Sequence, residues 1–244
     1  MRSIRLAGVA VLAVFAISAV TASAAFATGP VWKVAGTELK AGQTKAITAK
    51  QKTSFTLTAG SLITVLCDKA TSSGEIIGGV PGTDKAKITF SECVVKGFES
   101  TCHVNSPGEE AGTIFTEAKT ELVYIGSSEQ AEKLEGPIGD LFSPASGTTF
   151  VTLEVGGSSC PALTKGTNKV EGSVIAKVEP YNTEAKSGTL NFPSSPVTTG
   201  YLWSGGELIE DKPTLKVFGV VGCTQVGEEL VELESGQEYG AWDV

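Results

Sequence analysis

The sequence predicts an all-β protein, an antiparallel β-sandwich or barrel-like fold behind an N-terminal signal peptide. Three observations predict it. Apolar side chains recur at every second residue in several separate runs, glycine- and proline-rich clusters punctuate those runs, and helix signals become sparse after residue 27.

The chain opens with Arg2 and Arg5, an uncharged apolar stretch from Leu6 to Val20, and small residues ending in Ala25-Phe26-Ala27. Small side chains at −3 and −1 suit signal peptidase, so residues 1–27 are expected to be cleaved off, with Ala24 as the second candidate site. The apolar core of about 15 residues is shorter than the roughly 20 that span a bilayer. The first cysteine is Cys67, far from the cleavage site, and no lipid anchor is expected. The mature chain is therefore expected to be secreted and extracellular, without stable membrane insertion.

Residues 28–52 read as an N-terminal extension or linker, and 53–244 as the β region. Phe55 and Leu57 alternate with polar neighbours in Ser54–Leu57, and Ser61–Cys67 reads as a buried strand. Ala86, Ile88 and Phe90 share one face of Lys85–Phe90, and Val151, Leu153 and Val155 share one face of Phe150–Val155. Val170–Val178 and Leu215–Val221 follow the same pattern. Turn clusters such as Gly78-Gly79-Val80-Pro81-Gly82 and Ser194-Ser195-Pro196 separate the strands. Glu129–Leu134 predicts one or two helical turns inside a long turn-rich connection, Ser127–Ser146. A weak echo between Leu66–Ile77 and Ser159–Val174 allows two related β subdomains, with a boundary near 136–147.

Charge excludes some partners. The net charge of −8 becomes −10 once the leader is removed, because Arg2 and Arg5 are the only arginines and the leader holds no acid. An acidic chain without arginine is poorly equipped to neutralise phosphates, so neither nucleic acid nor an anionic lipid surface is expected as partner. The only methionine is Met1, which rules out a methionine-rich adaptable groove.

Five cysteines, Cys67, Cys93, Cys102, Cys160 and Cys223, fall in the mature chain. In an oxidising compartment two bridges are expected and one cysteine is odd. Cys93 with Cys102 would close a short hairpin, Cys67 with Cys160 would join the two halves, and Cys223 would be the odd one. Bridges from Cys223 to Cys67 or Cys160 are the alternatives, since connectivity is not legible in spacing.

Catalytic chemistry finds little support. His103 is the only histidine, and its neighbour Cys102 points to the opposite face of a strand. No G-x-S-x-G elbow is present, and one histidine cannot build the usual catalytic zinc sites. The acid pairs Glu109-Glu110, Glu228-Glu229 and Glu232/Glu234 could serve glycoside hydrolysis or calcium. None lies in a calcium-loop motif, and they are read as solubilising charge. No catalytic, cofactor-binding or metal-ligating residue is assigned, and no cofactor is expected. One pair suggests binding: Tyr201 and Trp203, two apart on a strand, share a face that could stack on a sugar ring or anchor a partner.

The expected function is a secreted non-catalytic protein acting by contact on an extracellular protein or glycan. The alternatives are a carbohydrate-binding or carbohydrate-processing protein, and a protease inhibitor with a braced loop around Gly97. The series Leu66-Cys67, Ser73-Gly74, Ile88-Thr89-Phe90-Ser91-Glu92-Cys93, Cys102, Gly112-Thr113-Ile114 and Leu122-Val123-Tyr124 resembles secreted, cysteine-containing, β-rich proteins of soil actinobacteria. The resemblance implies export and a disulfide-braced β fold. It carries no activity and no site residues.

Overall fold

The computed structural model describes residues 28–217 and 220–243, so the expected signal peptide, 1–27, lies outside the described residues. The first elements are β1 (Val31–Val34), β2 (Thr37–Glu38), β3 (Thr44–Ala59), β4 (Ile63–Ile77), β5 (Thr83–Val95), β6 (His103–Asn105) and β7 (Ile114–Tyr124). The short helix α1 (Ser128–Glu132) and β8 (Ile138–Pro144), β9 (Thr149–Gly156), β10 (Gly166–Glu171), β11 (Val174–Glu179) and β12 (Ser187–Phe192) follow. The chain ends with β13 (Gly200–Ser204), β14 (Glu207–Asp211), β15 (Lys216–Val217), β16 (Val220–Val221), β17 (Thr224–Leu233) and β18 (Tyr239–Trp242).

Eight of these strands close into an antiparallel barrel. The ring runs β3-β4-β5-β7-β8-β11-β12-β17 and returns to β3, with Ala49 opposite Val231 at the closing seam and Thr89 opposite Phe115 between β5 and β7. The ring order is the chain order, so this is an up-and-down barrel, and closure leaves its staves without free edges. Barrel-like is therefore the form the expected all-β fold takes.

The inserted strands leave the barrel at one end, while α1 sits at the other, between β7 and β8. β6, β9, β10, β15 and β16 extend the sheet beyond β5, at the end where β5, β8 and β12 finish. The β13–β14 hairpin folds back outside the barrel and meets β7 at Tyr201 opposite Tyr124. At the other end, β18, β1 and β2 form a small separate sheet. Residues 28–52, expected as an extension or linker, carry β1, β2 and the start of β3, and Val31 and Trp32 are buried. The stretch 136–147 holds β8, hydrogen-bonded to β7 on one side and β11 on the other.

The core follows the alternation. Phe55, Phe90, Phe142 and Phe192 meet inside the barrel, with ring centroids 5.3–5.9 Å apart in edge-on or tilted pairs, as aromatic quadrupoles prefer. Trp32, Ile76, Leu122 and Tyr239 form a second cluster beneath the small sheet. Val123, Leu141 and Ile175 form a third, covered by Val197 and Leu202 of the returning segment.

Two local departures from the sequence reading have clear causes. Val170–Val178 is two strands: β10 belongs to the side sheet and β11 to the barrel. The break falls at Gly172, whose φ is +100° and whose place could not take a Cβ, which would lie 1.9 Å from the Thr214 carbonyl oxygen. The disulfides join Cys67 to Cys93 and Cys102 to Cys160, instead of Cys93 to Cys102 and Cys67 to Cys160. Register is the reason. Cys67 sits directly opposite Cys93 on β4 and β5, whereas pairing of Val94 with His103 leaves Cys93 and Cys102 out of step. The helical turn expected within Glu129–Leu134 forms as α1, where Ser127 and Gln130 make a reciprocal capping box.

Gly74 marks a close approach of β4 and β5. A Cβ there would lie 1.9 Å from the Lys85 carbonyl oxygen and 3.0 Å from the Ala86 Cα. Gly74→Ala must push backbone against backbone, and a loss of about 1–3 kcal/mol is expected in urea unfolding. An unchanged midpoint would mean that the two strands give way freely.

Candidate binding sites

Strand alternation carries acids into the barrel along with the apolar side chains. On β5 the face of Ala86, Ile88 and Phe90 extends back to Asp84; on β17 that of Val231 and Leu233 extends back to Glu229; on β8 Asp140 precedes Phe142 by two. Asp84 stands opposite Thr120 on β7, and Asp140 stands opposite Leu122 on the adjoining pair. All four polar residues are buried, Asp140 to 1% exposure and Glu229 to 4%.

Among the described residues no lysine lines the cavities at this level. Burial pushes the Asp84 carboxyl up to about 6, against smaller opposing effects of Thr120 and Asp140. Burial first, and the Asp84 charge second, holds Asp140 well above the ordinary carboxyl range. Burial raises Glu229 to about 7, offset in part by Ser72, whose hydroxyl donates to its Oε2 at 3.4 Å. Asp84, Thr120 and Asp140 act on one another through side-chain hydrogen bonds, whereas Glu229 Oε1 has no hydrogen-bond partner among the described residues. The Tyr239 hydroxyl donates to the Val231 carbonyl at 2.9 Å.

Two small cavities lie in the lumen. One of about 40 Å³ is lined mainly by apolar side chains, Trp32, Ile76, Leu190 and Val231 among them, with Asp84, Asp140, Glu229 and Ser72 at its border. Another of about 80 Å³ is walled by Phe55, Phe90, Phe142, Phe150, Phe192 and neighbouring aliphatic side chains. Ile88, Phe142 and Glu229 border both. An eight-stranded barrel is just wide enough to be filled by side chains or to hold one small ligand.

The outer surface carries a larger feature. An open groove of about 480 Å³ runs between Lys177, Glu179 and Tyr181 on one bank and the segment 195–199 with Tyr201 on the other. Of the aromatic pair singled out above, Tyr201 borders this groove. The indole of Trp203 donates to the Ala131 carbonyl at 3.2 Å and ties the hairpin to α1. Tyr181 joins Tyr201 only through folding, and no periodicity around Glu179-Pro180 foretells it.

The remaining candidates separate. His103 is exposed on β6 beside Gly156, while Cys102 is buried in its bridge. Glu228 and Glu229 point to opposite faces: Glu228 pairs with Lys52 at 3.0 Å outside, so the reading of both as solvated charge holds for one and fails for the other. Glu109, Glu110, Glu232 and Glu234 are exposed. Cys223 is buried outside the two bridges, its thiol 4.0 Å from the Val217 carbonyl, and burial raises its pKa. The loop around Gly97 is compact: Phe98 N donates to the Val95 carbonyl, Cys102 N to the Phe98 carbonyl, and Gly97 N to the Glu99 carboxylate at 2.7 Å. Among the described residues no group of three ligating side chains is placed to hold a metal, and no helix is long and apolar enough to cross a membrane. No protein-family model, curated protein or solved structure matches the chain.

Proposed function

We propose that this is an exported, non-catalytic binding protein that acts by contact, and that its groove beside Tyr201 takes a neutral glycan. The barrel and its two bridges supply a rigid frame, and disulfides belong to an oxidising compartment outside the cytoplasm. One observation carries the glycan reading: Tyr181 and Tyr201 border one open groove together with Ser195, Thr198 and Thr199. Aromatic faces stack on sugar rings while hydroxyls meet their edges, and the groove falls within the usual size of small-molecule clefts. The acidic balance of the chain favours an uncharged saccharide over an anionic one.

Affinity electrophoresis of the mature protein through gels containing soluble neutral β-glucans, xylan or starch tests this. Retention in at least one is expected, with Tyr201→Ala weakening it about tenfold, the scale of a lost aromatic anchor. Phe115→Ala, on the outside of β7, should leave it unchanged. Equal mobility with and without every polysaccharide would remove the glycan and leave an extracellular protein as the contact partner.

A further inference from the structure

The geometry points to the apolar cavity at the side-sheet end of the barrel as a binding site for a small neutral ring compound with one hydroxyl, the ring among the phenylalanines and the hydroxyl on Glu229. This site is separate from the groove and does not depend on the glycan reading.

Staves and side sheet build the cavity together. Phe55, Phe90, Phe142 and Phe192 come from β3, β5, β8 and β12, while Phe150 and Leu153 come from β9, so the side sheet roofs this end of the barrel. The space between them measures about 80 Å³, well above the water-sized voids that close-packed interiors usually leave. Its wall is almost wholly apolar and gives ordered water few partners. It opens on one side, and Leu57, Val151 and Gln225 on its border are partly exposed.

One polar group interrupts the wall without a partner of its own. Glu229 lines the cavity at 4% exposure; its Oε1 has no hydrogen-bond partner among the described residues, and its Oε2 takes the Ser72 hydroxyl at 3.4 Å. Thr116 on the same wall is satisfied, its hydroxyl donating to the Phe150 carbonyl at 2.6 Å. A buried carboxyl oxygen left unpaired is uncommon and costly. The Glu229 carboxyl holds its proton to about 7, so both its forms occur near neutral pH. A hydroxyl suits either form, donating to the carboxylate and accepting from the neutral acid.

Size and wall select the rest of the ligand. The space is about half of the roughly 150 Å³ of an engineered apolar cavity that admits benzene. One ring is therefore the upper limit, admitted as Leu57 and Val151 at the open side turn aside. The core rings already meet edge-on or tilted at 5.3–5.9 Å, and a ligand ring joins them in the same geometry.

The test is a titration of the mature, disulfide-intact protein with phenol and with toluene, read from its isoleucine, leucine and valine methyl resonances at a pH below the Glu229 value of about 7. Methyls of Ile88, Leu153 and Val170, which line the cavity, should move with phenol; those of Val123, Leu141 and Ile175, in the cluster outside the barrel, should not. Phenol should bind at least as tightly as toluene, because a hydroxyl taken into an apolar wall without a partner binds more weakly than a methyl group. Glu229→Met, similar in length but offering only a weakly accepting sulfur, should weaken phenol about tenfold and leave toluene unchanged. Should that variant fail to fold, the order of phenol and toluene on the parent protein still decides. Unmoved cavity methyls with phenol would overturn the proposal, as would tighter binding of toluene by the parent or an undiminished phenol response in folded Glu229→Met.

Discussion

Raising the pH from about 4 to about 8 is expected to lower the unfolding free energy by several kcal/mol, about 3 of it from Glu229, with Asp84 adding in the same direction. In the unfolded chain these carboxyls ionise near their ordinary values of 3.8 and 4.5; in the barrel they hold their protons to about 6 and about 7. Between those limits the folded state binds more protons than the unfolded one, so each step up in pH favours unfolding. The stability associated with the neutral acids is fully present below about pH 4 and is lost as the pH passes through the folded values. Asp140, raised in the same direction, adds to the fall.

The groups facing these acids do not reverse the sign. Thr120 and Ser72 are neutral, Tyr239 is itself pushed further up by burial, and Glu121, the next acid felt by Asp140, has the same charge. Glu229→Gln should therefore flatten the profile by about 3 kcal/mol and stabilise the protein at neutral pH. Urea unfolding at several pH values gives the measurement. A level profile in the parent protein would show that the acids ionise in the barrel against a bound cation or solvent.

Reduction is the second large effect. The bridges span 26 and 58 residues, for which chain entropy gives losses of about 3.5 and about 4 kcal/mol. Their sum is a large part of the 5–15 kcal/mol that typically separates folded from unfolded states. Urea unfolding with and without reductant should show the collapse, and the double variants Cys67→Ala/Cys93→Ala and Cys102→Ala/Cys160→Ala should divide it. Intact mass under denaturing conditions should show one alkylatable thiol before reduction and five after. If single-bridge variants were as stable as the parent, strain or residual structure would be cancelling the entropic gain.

The two bridges also show what spacing could and could not convey. Two bridges and one cysteine left over followed from a count of five, and Cys223, expected as the odd one, is the one outside the bridges. The partners did not, because a cross-strand bridge depends on register, and the β4–β5 ladder that places Cys67 opposite Cys93 runs in one register from Ile77 opposite Thr83 to Val65 opposite Val95. Tyr201 was legible as one of an aromatic pair sharing a strand face, but its groove was not: Tyr181 and the segment 195–199 reach it from separate excursions of the chain. The luminal acids were half legible. Asp84 and Glu229 lie in phase with apolar faces that alternation already assigns to the interior. What hid them was their neighbourhood, since Glu228-Glu229 reads as a charged surface pair until the phase of Val231 and Leu233 is carried back two residues.

By itself the sequence determined the all-β character, the turn-punctuated short strands, the acidic composition without arginine after Arg5 and the cysteine set, because each depends on residue type and local period. The tertiary structure alone decided that eight staves close into one barrel, which cysteines face each other, that Glu229 lies inside and Glu228 outside, and that three acids from different strands converge on one lumen. Those outcomes rest on long-range pairing register, and a shift of one residue there turns every side chain to the other face.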